Sequence, residues 1–483
     1  MASGSTTQGQ FQRVLNNKDI LALAFGAMIG WGWVVLAGTW VQSAGSAGAI
    51  IAFALGGVAV VLIGLVYAEL VAAMPLCGGE HVYSYRALGM AASFICTWAI
   101  ILGYVSVVAF EAVALPTVVE HLFPGYSVGH MWTVAGWDVK FTWALVGVGG
   151  SILMTWINIR GIEMCAFVQK VVTVLILIAG IMFVTGSLFN GETANLEPLF
   201  VEGTAGILTV LVMTPFMFVG FDVIPQAAEE INVPYKQIGN VLVLSVVMAV
   251  AWYIFIILGV SLALTEEQMA ASSLVTADAA SAVFGGAWAG KLVVLAGIGG
   301  IVTSWNAFFI GGSRAIYAMA HARMLPAFLA RMHPRYNTPV NAILLIGVLS
   351  CLAPLFGRKM LVWLVDAGGL GIVVAYATVV LSFLVLRARK PGMPRPFVVP
   401  YGRPVGIVAL ILSVGLVVLY LPGSPSALIW PNEWAIVLGW TALGVVFYLW
   451  ARIAHAGEAH EVLMQELATG HSDLIEPARS TTP

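Results

Sequence analysis

Apolar runs long enough to cross a bilayer follow one another along most of this 483-residue chain, separated by short polar gaps. A spanning helix needs about 20 mostly apolar residues, because every backbone N–H and C=O within lipid must be satisfied inside the segment. That constraint removes most folds at once and leaves an all-α integral membrane protein. Composition agrees: 9% of residues are charged and the mean hydropathy is +0.97, whereas a water-soluble domain carries roughly 25% charged residues. About twelve spans are expected, in one set of five at about 19–44, 48–74, 90–119, 142–159 and 164–188. A second set follows at about 205–230, 239–264, 290–320, 339–356 and 360–387, with two more at about 404–421 and 433–452. The gap at 265–289 has room for a short outer helix, and 324–338 reads as a basic inner loop.

Charge sets the orientation and excludes some partners. Sixteen of the 21 Lys and Arg residues fall on the side that holds the N-terminus, and the opposite loops hold only Lys140, Lys291, Arg358 and Lys359. Basic residues are retained on the cytoplasmic side, so both termini are expected there and the crossing number is even, as in a multi-pass protein of the cell membrane. A net charge of -2 argues against a nucleic-acid partner. The cysteines Cys77, Cys96, Cys165 and Cys351 are too scattered for a disulfide framework or a metal site. Neither cofactor nor metal is implied. The first span follows a polar stretch, Ser3 to Asn17, and lacks a short apolar core with a small-residue cleavage site, so no removed signal peptide is expected. The expected organisation is a cytoplasmic segment 1–18, a ten-span core 19–387, the last two spans within 388–452 and a cytoplasmic tail 453–483.

Two spans are poorly built for continuous helix. The first contains Gly26-Ala27-Met28-Ile29-Gly30-Trp31-Gly32-Trp33, and each interior Gly costs about 1 kcal/mol against Ala. The sixth contains Thr214-Pro215 through Phe218-Val219-Gly220-Phe221-Asp222 to Pro225-Gln226, where each proline removes an amide donor and crowds the turn before it. Glycine also serves close helix packing, so the first run alone decides nothing. Breaks at matching places in two sets of five, however, point to the midplane site of a secondary transporter built from inverted repeats. Five is odd, so the two sets, about 19–188 and 205–387, run in opposite directions.

Four stretches carry a resemblance to the amino acid, polyamine and organocation (APC) superfamily of permeases over nearly the whole chain. They are Gly26 to Gly32; Tyr67-Ala68-Glu69-Leu70 with Gly78-Gly79-Glu80-His81-Val82-Tyr83; Phe218 to Asp222 with Ala228-Glu229-Glu230; and Ser313-Arg314-Ala315-Ile316-Tyr317 with Leu325-Pro326. Trp31 stands where a small residue is usual, and His81 where an aromatic is common. The resemblance implies a five-plus-five inverted repeat (LeuT-like) plus two extra helices, moving amino acids or related amines by alternating access. It places the substrate carboxylate on the amides around Ile29, Gly30, Trp31 and Gly32, and the ammonium on carbonyls at Val219, Gly220 and Phe221, beside Phe218. The dipoles of broken helix ends favour the same assignment. Trp31, Trp33, Phe221, Trp305 and Phe308 would converge on the pocket, although aromatics in such helices commonly just fill space.

Single ionisable residues sharpen the reading. Glu111 lies well inside the third span with apolar neighbours, and an intramembrane carboxylate faces a cavity or a partner. Three roles stay open: pairing with a cationic substrate, carrying a coupling proton, or bonding to another helix. Asp222 follows the sixth-span break, where capping the next half-helix is favoured over touching substrate. Glu69 is expected to pair with a loop arginine. Glu229 and Glu230 resemble inner-gate acids with Arg86 and Arg314 as partners, or are a solvated helix end. Asp366 is a second coupling candidate. Several relatives carry a lysine seven residues beyond the match to Gln169, where this chain has Ile176, so Lys170 is expected to snorkel toward the interface.

A membrane enzyme would need a clustered nucleophile and base, and His81, His121, His130, His321 and His333 fall in or beside expected loops without such partners. No filter motif suggests a channel. A secondary-active amino acid permease, with Glu111 leaning it toward cationic cargo, is the leading reading. A polyamine or other organic-amine carrier and a membrane sensor of amino acids remain alternatives. Protons or exchanged substrate are the partners considered for driving it. Oligomeric state is not encoded legibly.

Overall fold

The computed structural model describes residues 11–455 apart from Ser273 and Pro425; the outer parts of the expected terminal segments, 1–10 and 456–483, lie outside it. The first span is α1 (Asn17–Met28), α2 (Gly32–Val35) and α3 (Ala37–Ala44), followed by α4 (Ser46–Ala73). Next come a short α5 (Glu80–Leu88) and the long α6 (Met90–Leu122). A hairpin of β1 (His130–Val134) and β2 (Trp137–Lys140) leads into α7 (Phe141–Ile159) and α8 (Ile162–Asn190). The sixth span is α9 (Thr204–Leu211), α10 (Thr214–Phe218) and α11 (Val223–Gln226), and α12 (Tyr235–Ala263) follows. Then come α13 (Glu266–Ala271), α14 (Val275–Val283), α15 (Ala287–His321), α16 (Val340–Leu352), α17 (Met360–Arg389), α18 (Gly402–Leu419) and α19 (Asn432–Ala454).

Among the described residues, 11 helices are long and apolar enough to cross a membrane. The ninth expected span is shorter: α16 and a following 3-10 turn make up Val340–Phe356, which rises about 25 Å if wound throughout. The outer gap holds two short helices, and the basic loop contains one 3-10 turn, Ala327–Ala330. Sequence reading missed the hairpin. β1 and β2 pair antiparallel around Ala135-Gly136, both at positive φ, and Trp132 donates its indole N–H to Leu355 O at 2.8 Å.

Local rules explain the helix starts and the spacing. At α1, Asn16 accepts from the Lys18 and Asp19 amides while Asp19 accepts from the Asn16 amide, a reciprocal capping box. The third and tenth spans close tightly because a Cβ on Gly371 would sit 2.5 Å from Ala99 O, and one on Gly368 2.6 Å from Ser106 Cβ. Burial separates centre from rim: over the most apolar 18 residues 83% of Asn17–Val35 is buried, against 11% of α19. Large apolar side chains such as Leu145, Phe167, Ile178 and Ile181 point outward from α7 and α8, the arrangement lipid requires.

One end of the bundle is closed by charge pairs. Arg314 and Glu230, both almost wholly buried, form a two-pronged pair at 3.1 and 3.0 Å, and Glu229 accepts from the Cys77 amide at 2.9 Å. The stretch before α1 lies across this end, with the Val14 and Leu15 amides donating to Glu230 O. Glu69 pairs with Arg387 and, at 3.0 Å, with Arg395 of the loop after α17. Asp19 holds Lys170 at 2.7 Å, so the ammonium is half-exposed but paired.

Removing one partner of a buried pair strands the other, at a cost of about 3–5 kcal/mol. Glu230→Leu is therefore expected to lower the thermal midpoint of purified protein sharply, and Glu230→Leu with Arg314→Met to recover much of the loss. A double variant no more stable than the single one would refute this account of the closed end.

Candidate functional site

The two interrupted spans meet. Gly220 has φ of +138°, and a Cβ there would lie 2.6 Å from Ala27 Cβ and 3.0 Å from Met28 N. Only glycine supplies both that backbone conformation and that approach. The first break is overlaid by α15, where a Cβ on Gly300 would meet Gly30 O at 2.6 Å and Ile29 O at 2.9 Å. A long helix thus runs directly over unwound backbone.

Between the breaks lies a cavity of about 20 Å³, lined by Gly30, Trp31, Gly32, Glu111, Val219 and Phe308 among the expected residues, and by Tyr253 and Ser304 among those not expected. Val107, Phe110, Phe216 and Met217 supply apolar wall. This volume holds about one water. A wider groove of about 380 Å³ between α6, α17 and α19 is lined by Phe94, Trp98, Trp440 and Tyr448 but has no charged group to orient a solute.

Glu111 makes the defining contact of the centre. Its carboxylate lies against the first break, where a Cβ on Gly30 would sit 2.8 Å from Glu111 Oε1 and 3.0 Å from Ser304 Oγ, and Trp31 and Ser304 line the cavity beside it. It therefore faces the unwound backbone of the first break, and its Oε2 has no hydrogen-bond partner among the described residues. From α12, the Tyr253 hydroxyl donates to Met28 O at 2.6 Å, satisfying a carbonyl that α1 leaves free.

The sixth-span break is held differently. Asp222 does not cap α11. Its carboxylate turns back to accept from the Gly220 amide at 2.7 Å, Tyr104 at 2.6 Å and Tyr376 at 3.3 Å. Among the described residues no backbone carbonyl accepts from the Gly220 N–H, so Asp222 satisfies a main-chain donor that the break leaves free. Gly220 O and Phe221 O accept from the Val223 and Ile224 amides. Among the described residues, Val219 O takes no such bond.

The remaining expected residues lie around this centre rather than in it. Ile29 is buried beneath α15. Phe218 packs against Phe53 and Tyr253, and Phe221 against Tyr67 and Tyr376. Trp305 donates to Ser350 Oγ at 3.3 Å, and Trp33 meets Trp252 edge-on. Asp366 lies against Glu433 of α19, away from both breaks. His81 is not in a loop without partners: it is buried in α5 beside Ser93 and Thr97 at 3.0 and 3.3 Å, and burial pushes its pKa down to about 4. Ser304 was within reach of sequence reasoning, one residue before Trp305 on a helix expected at the pocket. Tyr253, deep in an unbroken span, carried no signal.

Two unwound spans facing each other inside a helical membrane bundle define a membrane transport protein. A family model described as amino acid permease matches residues 15–446. The chain is 26% identical over 462 residues to the branched-chain amino acid permease BcaP of Bacillus subtilis (strain 168), covering 93% of this chain and 95% of that protein. It is 26% identical over 471 residues to the methylthioribose transporter of the same organism, covering 93% and 96%. It is 27% identical over 412 residues to cationic amino acid transporter 4 of Mus musculus, covering 81% and 62%. The chain belongs to the amino acid permease family, within the APC superfamily. These relatives are transporters, not enzymes.

A side chain at Gly220 would meet both a forbidden backbone conformation and the first break, a strain of about 1–3 kcal/mol or more. Gly220→Ala is expected to lower the melting temperature and abolish solute uptake in proteoliposomes. Gly415→Ala, where nothing lies within 4 Å of the added Cβ, should change neither. Normal uptake by Gly220→Ala would show that the breaks need not touch.

Proposed function

We propose that this protein is a secondary-active amino acid transporter of the cell membrane, working by alternating access between the broken first and sixth spans. In this reading residues 19–387 form the five-plus-five inverted repeat, about 19–188 and 205–387. Val340–Phe356 is the ninth of twelve crossings, the last two lie within 388–452, and both termini are cytoplasmic. The single observation that carries the reading is the position of the Glu111 carboxylate, which lines the cavity at the first break beside Gly30, Trp31 and Ser304. A carboxylate already rests where free helix-end amides favour an anion. A substrate carboxylate would replace it there, while the substrate ammonium meets Val219 O.

Two carboxylates cannot share those amides while both are ionised. Glu111 therefore takes up a proton, or swings away, as substrate enters, which makes it the coupling candidate over Asp366. The walls formed by Val107, Phe110, Phe216, Met217 and Phe308 suit an apolar side chain, so we favour neutral amino acids such as leucine. A preference for cationic amino acids is the second reading, favoured because Glu111 is the one charged residue lining the cavity. A simple amine carrier would leave the first-break amides without a substrate anion.

Uptake of radiolabelled leucine, lysine and putrescine into proteoliposomes separates these readings, and a bound solute that never enters the vesicles would indicate a sensor. Glu111→Gln, fixed in a neutral form, is expected to retain leucine uptake and to bind leucine roughly tenfold tighter than wild type at alkaline pH, the effect of removing about 1.4 kcal/mol of repulsion. Selective loss of lysine transport would support the cationic reading instead.

A further inference from the structure

A second acidic centre lies outside the substrate cavity, where α5 rests on α11. Gly78 and Gly79, at φ of +90° and +33°, form the turn into α5, and a Cβ on Gly79 would lie 2.5 Å from Pro225 Cβ and 3.1 Å from its backbone carbon. The next residue on each element then meets its counterpart: the Gln226 amide donates to Glu80 Oε2. Both side chains are wholly buried. Glu80 Oε1 and Gln226 Oε1 are both without a hydrogen-bond donor.

No positive charge answers Glu80. The titratable groups facing it are Tyr67 of α4, Cys96 and Tyr104 of α6, Asp222 before α11, Tyr376 of α17 and Tyr83 of its own helix. Arg314 of α15 is held by Glu230 and Arg387 of α17 by Glu69, while His81 is neutral and bonded to Ser93 and Thr97. Burial lifts the Glu80 carboxyl well above the usual carboxylate range, and the charge of Asp222 acts in the same direction. An ionised Glu80 would leave two acceptor oxygens, its own and that of Gln226, and the neighbouring Tyr67 hydroxyl, which also lacks a partner, has one proton and can serve only one of them. A single proton resolves both. Neutral Glu80 can donate from Oε1 to the amide oxygen and accept at Oε2 from the amide nitrogen, a closed acid–amide pair in which each partner gives and takes one bond.

We propose that Glu80 is a proton-binding site that is loaded while α5 is seated on α11 and releases its proton to water when the two helices part. The site joins the re-entrant helix to the lower half of the broken sixth span, the half that must move if the break acts as a hinge. It makes the seated arrangement favoured by acid and weakened by alkali, independently of which solute is carried.

The test uses the full-length protein in lipid nanodiscs. Infrared spectra across a pH titration should show a carboxylic-acid C=O band that persists through neutral pH in wild type and in Glu111→Gln and is missing in Glu80→Gln. Because the folded protein binds this proton more tightly than the unfolded chain, the wild-type thermal midpoint should fall as pH rises through the raised pKa, and that component should vanish in Glu80→Gln. If Glu80→Gln does not yield folded protein, Gln226→Met carries the test, since loss of the amide partner must shift the frequency of the acid band. A band that survives Glu80→Gln, or that Gln226→Met leaves unmoved, overturns the proposal. Neither measurement needs a substrate, so a negative result is distinct from failure of the amino acid reading.

Discussion

Every feature of the centre depends on one constraint: unwound backbone inside a bilayer must be satisfied by protein, because lipid offers no hydrogen bonds. Two spans are unwound here, and neighbouring elements make the interruption tolerable. Tyr253 takes up Met28 O and Asp222 the Gly220 amide, Glu111 lies against Gly30, and Gly300 lets α15 lie across the Ile29 and Gly30 carbonyls. Satisfaction comes from side chains rather than from ladder bonds, and side chains can be exchanged for a solute. That is the physical difference between a break that merely bends a helix and one that binds.

Apart from Glu433 of α19, which accepts from the Ile429 amide at 2.6 Å, the buried carboxylates divide into two kinds. Glu230, Glu69 and Asp19 each hold an arginine or lysine. They join elements distant in sequence, and removing a partner would leave an uncompensated charge. Glu111 faces the neutral backbone of Gly30, while Asp222 and Glu80 have only neutral donors, namely an amide, hydroxyls and a carboxamide. Groups of the second kind are those whose charge a proton or a solute can alter at modest cost, and they cluster at the two breaks and the helix seated beneath them.

The cavity at the centre measures about 20 Å³, while small-molecule sites run to about 300 Å³ or more. The arrangement is therefore closed around its own side chains, and admitting a solute of amino acid size requires the spans to separate. The Arg314–Glu230 pair and the stretch that crosses it close one end. The turn from Val219 to Asp222 joins the two halves of the sixth span, and α5 packs against the second of them.

Hydropathy alone determined that the chain is a helical membrane protein, and the composition of two spans located both breaks to within a few residues. Both are local properties: lipid selects apolar runs, and Gly and Pro disfavour helix wherever they stand. The Glu230–Arg314 and Glu69–Arg395 partnerships were legible as types, since buried charge demands a partner. Sequence could not show that Glu111 lies against Gly30 of the first break, that Asp222 bonds back to Gly220 rather than capping α11, or that His81 is buried. Nor could it select Tyr253 from the many aromatics of the unbroken spans. Those outcomes were decided only by tertiary structure, because a side chain's partner is set by which helix comes to lie against it, and one residue along a helix turns the side chain by about 100°.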